Sequence, residues 1–180
     1  MLDLALGRLP SSARDAILSS KIIAPDQEEM DKVRPLALGA FVRRSCSRAV
    51  ARLFTRRVAT SLSATEYSLG IGRGDELMHR AVLLDLDMRG NAVKISLDIS
   101  NAYNEFDRRA AWDSTIRSVP EMGPWVHSVL SSRPTHVHVG TDGHRTKLIK
   151  SRRGDQGDPL TALTFRVALD AQAAARTLDG

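Results

Sequence analysis

The feature of this sequence that most constrains its fold is the order in which strand-like and helix-like spacings of apolar residues follow one another. Alternation with a period of two, typical of strands, occurs only in short runs, in AVKISLD and in HVHVGTDGHRTKLIK. Longer stretches with a helical period surround these runs, without regular alternation of strand and helix. The pattern predicts an α+β fold rather than a doubly wound parallel sheet.

Caps, turns and periodicity predict where the elements lie. The expected helices are one ending near Ser20, one after Gly39, one from Gly74 or Asp75 to about Gly90, Arg108–Ser118, Gly123–Ser131, and one that Asp158 caps and Pro159 starts. The expected strands are Lys21–Pro25, Val33–Leu38, Val93–Asp98, and the two arms of a hairpin that turns at Asp142-Gly143.

The helix expected after Gly39 has two different sides. Its apolar side is predicted to contain Val42, Cys46, Ala49, Val50, Leu53 and Phe54. Its opposite side carries an arginine every four residues: Arg44, Arg48, Arg52 and Arg56. No acidic residue occurs between Phe41 and Val58, so nothing within the helix neutralises these charges. This favours contact with phosphates over a merely solvated face.

The overall charge agrees with a polyanionic partner. The net charge is +5 and the isoelectric point is about 9.9. Nucleic acid and an anionic membrane surface both fit, and charge alone does not choose between them. No apolar run approaches the roughly 20 residues that span a bilayer, so no membrane insertion is expected.

The cysteine content and the first residues predict an intracellular protein. Cys46 is the single cysteine, which excludes an intramolecular disulfide and a multi-cysteine zinc site. On the apolar side of its helix, it is expected to be a small core residue. The start, MLDLALGRLPSSARD, carries acid and base close together and lacks the long apolar stretch of a signal peptide.

Two segments could carry chemistry. Asp98 ends an alternating run and precedes a turn and an aromatic residue, and Mg²⁺ prefers such hard oxygen ligands. The carbonyl of Ile99 lies beside it. In the second segment, QGDPL, Gly157 allows another backbone or a ligand to approach closely. Taken singly, a strand-end cap explains Asp98, and helix capping explains Asp158.

Several weaker signals favour structural explanations. The spacing Gly70-x-Gly72-x-Gly74 follows no clear strand, which argues against dinucleotide binding. Asp107 is expected to cap the following helix. The remaining candidates are expected to be solvated side chains, namely the acids Asp85 and Asp87 and the imidazoles His136, His138 and His144.

Together, the segments LDISNAYNEFDR and QGDPLTALTF, some fifty residues apart, resemble the palm motifs of reverse transcriptases, especially those of non-long-terminal-repeat retroelements. VRPLALG and the arginine-rich helix after it resemble the fingers segment of that family. YSLGIGRG resembles the region that connects fingers and palm. The order and approximate spacing agree from about Leu9 to Thr177.

The resemblance implies a partial fingers-and-palm polymerase domain with a small incomplete antiparallel sheet and packed helices. Residues 1–92 would be fingers-like and residues 93–180 palm-like. The implied partners are an RNA template, a primer or DNA, and deoxynucleotides. By position, the resemblance implies that Asp98 is the catalytic carboxylate that binds Mg²⁺ together with the Ile99 carbonyl. It implies that Tyr103 lies beneath the incoming sugar, and that Gln156 and Gly157 lie against the template and the nascent base pair. Arg34 would lie near the phosphates of the incoming nucleotide or near the template.

The sequence also departs from the family pattern. The glycine that usually stands three places before the glutamine is here Gly154, only two places before Gln156, and Asp26 replaces a usual lysine after Pro25. The Tyr-x-Asp-Asp segment that supplies the other metal ligands does not occur before Gly180. The expectation is therefore a truncated domain with an exposed sheet edge and exposed apolar surface. The alternatives are a non-catalytic nucleic-acid-binding remnant and a degenerate reading frame whose product does not fold stably.

Overall fold

The computed structural model describes residues 2–23, 36–132, 134–140, 142–149 and 154–178. In chain order the helices are α1 (Leu2–Ala5), α2 (Ser11–Leu18), α3 (Phe41–Ser61), α4 (Gly74–Met88), α5 (Ala102–Glu105), α6 (Arg108–Ser118), α7 (Gly123–Ser131) and α8 (Pro159–Leu178), with a 3-10 turn at Pro120–Met122. The strands are β1 (Ser20–Ile23), β2 (Leu36–Gly39), β3 (Thr135–Val139) and β4 (Arg145–Ile149). The chain is thus a mixture of helices and strands, as expected.

The four strands form one sheet in the order β2-β1-β3-β4. β1 pairs antiparallel with β2, and β3 pairs antiparallel with β4. The central pair, β1 and β3, is parallel, with Lys21 opposite Val137. The prediction of an antiparallel sheet was therefore wrong at its centre. Helices α3 to α7 separate β1 from β3 along the chain, and such a long crossover allows strands to run parallel.

The core lies where α3, α6, α7 and α8 pack together. Its members include Leu18, Cys46, Val58, Met122, Trp125, Val126, Leu160, Leu163 and Val167. Leu160, Leu163 and Val167 recur with the helical period, so α8 buries them together on one face. The buried indole Nε1 of Trp125 donates to the Ser47 hydroxyl at 3.3 Å, so this tryptophan is anchored at its polar end.

The local signals placed most helices correctly. α6 and α7 begin and end at the predicted residues. The Asp107 carboxylate accepts a hydrogen bond from the Ala110 backbone N–H at 2.7 Å, which confirms it as the cap of α6. None of the helices in the described part of the chain is both long and apolar enough to cross a membrane.

The strand predicted at Val93–Asp98 is not formed. Residues 91–100 are all exposed, and residues 92–99 adopt neither helix nor strand. A strand is stable only when its backbone N–H and C=O groups pair with a neighbour, and no described strand lies alongside this segment. Alternation alone therefore predicted a strand for which the described part of the fold supplies no partner.

The inward face of α3 also differs from the prediction. Cys46 is buried, and Val50 and Phe54 are partly buried, but Val42, Ala49 and Leu53 are exposed. The buried face instead includes Arg43, whose side chain is only 2% exposed. Because this arginine pairs with acids of the segment before α8, the helix turns a charged residue toward the core.

Candidate functional site

The arginines predicted to form a stripe on α3 lie on the protein surface. Arg44, Arg48, Arg52 and Arg56 are all exposed. Within the ranges that the structure describes, no acidic side chain forms an ion pair with any of them, whereas their neighbour Arg57 pairs with Glu121 at 2.5 Å. The four guanidinium groups are therefore available to an external anion.

The geometry of the stripe suits an extended polyanion. Residues four apart on an α-helix are separated by about 6 Å along its axis, so Arg44 and Arg56 are roughly 18 Å apart in that direction. Phosphates follow one another along a nucleic-acid strand at comparable intervals, and guanidinium groups bind phosphate oxygens with paired hydrogen bonds. The stripe can bind several phosphates at once without reading base sequence.

The two segments that carry the family resemblance are in contact. Gly154 is buried, and a Cβ atom added to it would overlap the Phe106 ring and lie 2.7 Å from the Tyr103 carbonyl oxygen. The rings of Tyr103 and Phe106 both pack on Phe165 of α8, with centroid distances of 5.3 and 5.9 Å. The structure thus joins the short helix α5 to the beginning of α8.

A cleft of about 220 Å³ opens beside this contact. It lies between α5 and α8, and Ile99, Phe106 and Phe165 form much of its apolar lining. Glu105, Asp107 and Gln172 contribute polar groups. Tyr103 is half-buried against the same helix, so its ring has a fixed environment.

The turn before α8 rests on strand β2. The backbone N–H of Ala37 donates to the Gln156 carbonyl oxygen at 2.9 Å. Gly157 adopts a φ of +107°, and a Cβ atom there would stand 3.1 Å from the Ala37 carbonyl oxygen. The backbone conformation therefore favours glycine, and the close approach leaves little room for a side chain. The close approach of another backbone, which the sequence led us to expect at Gly157, is thus confirmed.

A buried charge cluster lies behind this turn. Arg43 Nε donates to Asp158 at 2.8 Å, its Nη2 donates to Asp155 at 2.6 Å, and its Nη1 donates to the Leu18 carbonyl oxygen at 2.5 Å. Asp158 also accepts from the Leu160 backbone N–H at 2.9 Å, as a helix cap does. Burial alone would lower the pKa of Arg43, but the charges of Asp158 and Asp155 outweigh it and raise the pKa above its ordinary value.

The imidazole of His136 belongs to the same cluster, contrary to the expectation that it is solvated. Its side chain is buried, its Nδ1 shares a hydrogen bond with the Ser20 hydroxyl, and its Nε2 lies 3.4 Å from Asp155. Ser20, His136 and Asp155 are all buried, so they connect β1, β3 and the turn rather than present a nucleophile to a substrate. His144 is exposed, as predicted.

Arg108 carries a second charge close to this region. Burial lowers its pKa, and the neighbouring charge of Arg43 acts in the same direction, while Asp155 opposes both. Its guanidinium donates a hydrogen bond to the Val129 carbonyl oxygen, which ties the first turn of α6 to α7. No sequence signal distinguished Arg43 and Arg108 from the exposed arginines, because their partners are distant along the chain.

The other predicted site residues are not brought together in this way. Asp98 is exposed in the segment without regular structure, and Ile99 reaches the edge of the cleft. Arg34 lies outside the described residues. Across the described ranges, no three His, Cys, Asp or Glu side chains are grouped so that they could hold a metal ion. The described residues therefore do not form an Mg²⁺ site, and the binding of this ion stays a prediction from the resemblance.

No protein-family model matches the chain, and no curated protein sequence matches it significantly.

Proposed function

We propose that this chain is the fingers-and-palm part of a reverse transcriptase domain of the non-long-terminal-repeat retroelement type, and that its own activity is to bind nucleic acid through α3. The observation that carries the proposal is the stripe of Arg44, Arg48, Arg52 and Arg56, exposed and without acidic partners in the described part of the chain. The complete domain would perform RNA-templated DNA synthesis by two-metal nucleotidyl transfer.

The segments that resemble reverse transcriptase motifs contact one another, and these contacts support the polymerase part of this proposal. Tyr103 and Gly154 meet beside α8, and Gln156 is hydrogen bonded to strand β2 of the fingers-like half. Three regions that are far apart in the sequence therefore converge on one turn. A template and a nascent base pair against Gln156 and Gly157 would lie next to this turn, with Asp98 and Mg²⁺ toward the sugar and phosphates.

Binding should depend strongly on salt. If the four arginines each contact a phosphate of duplex DNA, the affinity should fall by about 0.9 log unit per contact for each tenfold rise in salt, because condensed counterions are released. Replacing all four with Gln should reduce this slope by roughly three to four log units of affinity per tenfold change in salt. Fluorescence anisotropy of a labelled duplex, titrated at several salt concentrations, measures both slopes.

A matched control distinguishes an effect of the arginine stripe from an effect of net charge. Arg73, Arg80, Arg89 and Arg109 are also exposed, but each pairs with an acid three or four residues away. Replacing these four with Gln removes the same net charge and should leave the slope nearly unchanged. Equal effects of the two quadruple variants would reject the stripe as the binding surface. Equal binding to anionic vesicles would instead favour a membrane partner.

The 180-residue chain is expected to bind without polymerising. Two-metal transfer needs carboxylates on both sides of the metal pair, and the family resemblance supplies only Asp98 within this sequence. Primer extension on an RNA template by the purified chain should therefore give no product above that of Asp98→Asn. Template-dependent synthesis that Asp98→Asn abolishes would contradict this expectation. An in-frame Tyr-x-Asp-Asp in a longer form of the protein would favour the enzyme over the non-catalytic alternative.

A further inference from the structure

One aromatic side chain of α3 points into solvent. All Phe, Tyr and Trp residues of the chain lie within the described ranges, and Phe41 alone among them is exposed, at 83%. It is the first residue of α3, three positions before Arg44. A single exposed apolar residue is ordinary on a protein surface, so its significance depends on the side chains around it.

Phe41 lies on the same side of α3 as the arginine stripe. Successive residues of an α-helix are rotated by about 100°, so Arg44, Arg48, Arg52 and Arg56 span an arc of roughly 120° around the helix. By the same rotation Phe41 falls at the centre of this arc, whereas the buried residues of α3 lie on the other side of the helix. An aromatic ring therefore stands at one end of a straight row of exposed guanidinium groups.

The exposure of this side of α3 does not result from the absence of further palm strands. The side carries four guanidinium groups that have no acidic partner in the described part of the chain. Apolar strands packed over it would bury these charges unpaired, which is strongly unfavourable. A partner for this surface must therefore be anionic, and it must also offer a contact to an aromatic ring.

Single-stranded nucleic acid meets both requirements. Its phosphates bind arginines, and each of its unpaired bases has a flat face on which an aromatic ring stacks. In a duplex both faces of a base are covered by its neighbours, so the ring can enter only by unstacking them. A duplex can therefore use the arginines but not the ring.

We propose that Phe41 and the arginine stripe form a surface that selects single-stranded over duplex nucleic acid, with an unpaired base stacked on the Phe41 ring and the adjoining phosphates bound by the stripe. This inference rests on the proposed function, because the same stripe binds the phosphates, and it adds the class of nucleic acid. The arginines supply the affinity that both forms share, and Phe41 determines the specificity.

The affinity for two matched probes tests this assignment. Phe41→Ala is expected to weaken binding to a single strand of about 12 nucleotides by roughly 5- to 100-fold, the value of one base–aromatic stack. Binding to the blunt duplex of the same sequence should change by less than about twofold, because the arginines are intact. Phe41→Trp keeps a stacking ring and should retain the affinity for the single strand. Fluorescence anisotropy of the labelled probes at one fixed salt concentration measures these affinities.

Leu53 provides the matched control. It is an apolar residue of the same helix and is 74% exposed, but it lies outside the arc of the arginines. Leu53→Ala should therefore alter the affinity for neither probe.

Tryptophan emission tests the stack itself. Phe41→Trp adds an exposed indole, whose emission is quenched when a base stacks on it. Trp112 is half-buried and Trp125 is buried, so the unchanged chain gives the background. An unlabelled single strand should quench the emission of Phe41→Trp well beyond this background, and it should not do so for Leu53→Trp.

Several results would overturn the inference. Phe41→Ala that weakens single-strand and duplex binding equally would do so, as would an unchanged affinity for the single strand or emission of Phe41→Trp that stays at the background. These results leave the proposed function standing, since that fails when replacement of the four arginines leaves the salt slope unchanged. A chain that binds neither probe would overturn both. An equal loss of binding to phosphatidylserine vesicles in Phe41→Ala would show that the ring enters any apolar environment, and the inference would fall.

Discussion

The substitution Arg43→Met is expected to lower the free energy of unfolding by about 3–5 kcal/mol, the usual cost of removing one member of a buried ion pair. Met is close to the arginine stem in length, so the main loss is the charge. Asp155 and Asp158 would stay buried with their principal cation gone, and the Leu18 carbonyl would lose its donor. Urea denaturation followed by tryptophan fluorescence, to which Trp112 and the buried Trp125 both contribute, measures the change.

The adjacent residue offers the control. Arg44→Met removes the same side chain from the next position of the same helix, but Arg44 is exposed. Its effect on the free energy of unfolding should stay within about 0.5 kcal/mol. Similar stabilities for the two variants would mean that the cluster around Arg43 does not hold β1, α3 and the turn before α8 together.

Gly154→Ala is expected to cost about 1–3 kcal/mol, the range seen when a methyl group is forced into a packed interior. The added Cβ would overlap the Phe106 ring and lie 2.7 Å from the Tyr103 carbonyl oxygen. The ring can shift, but the carbonyl belongs to the backbone of α5. To relieve the overlap, α5 must move away from α8, which separates Tyr103 and Phe106 from Phe165.

Gly72→Ala makes the same chemical change where a Cβ atom would meet nothing within 4 Å. Its stability should match that of the unchanged chain within about 0.5 kcal/mol. The same urea series compares the two variants, and near-ultraviolet circular dichroism reports whether the aromatic group of Tyr103, Phe106 and Phe165 is disturbed. An equally small effect of Gly154→Ala would show that α5 is not packed closely against the turn.

Part of the candidate site was visible in the sequence because its signals act within a few residues. The four-residue spacing predicted that Arg44, Arg48, Arg52 and Arg56 share a face, and they are exposed together. The glycine and the Asp-Pro pair predicted the turn before α8, and Gly157 adopts the positive φ that favours glycine. These features depend on helix periodicity, capping and backbone sterics, all of which are local.

The errors have a common origin in contacts that are distant along the chain. The alternation at Val93–Asp98 satisfies the side-chain requirement of a strand, but hydrogen bonding needs a partner, and the described fold provides none. Likewise His136 was expected to be solvated, since the sequence offers no cysteine or obvious fourth ligand for a zinc site with the histidines of the hairpin. Parallel pairing of β1 with β3 instead buries it against Ser20.

The sequence by itself determined the hairpin, the exposed arginine stripe, the caps of α6 and α8, and the helices α2, α3, α4, α6, α7 and α8, because each depends on residues within about one or two turns of chain. Only the tertiary structure decided which arginine of α3 is buried, since Arg43 finds its acid Asp158 115 positions away. It also decided the order and directions of the strands and the contact of Gly154 with α5. Burying a charge is favourable only when its counter-charges are already in place, and that condition is set by the packed fold rather than by any local pattern.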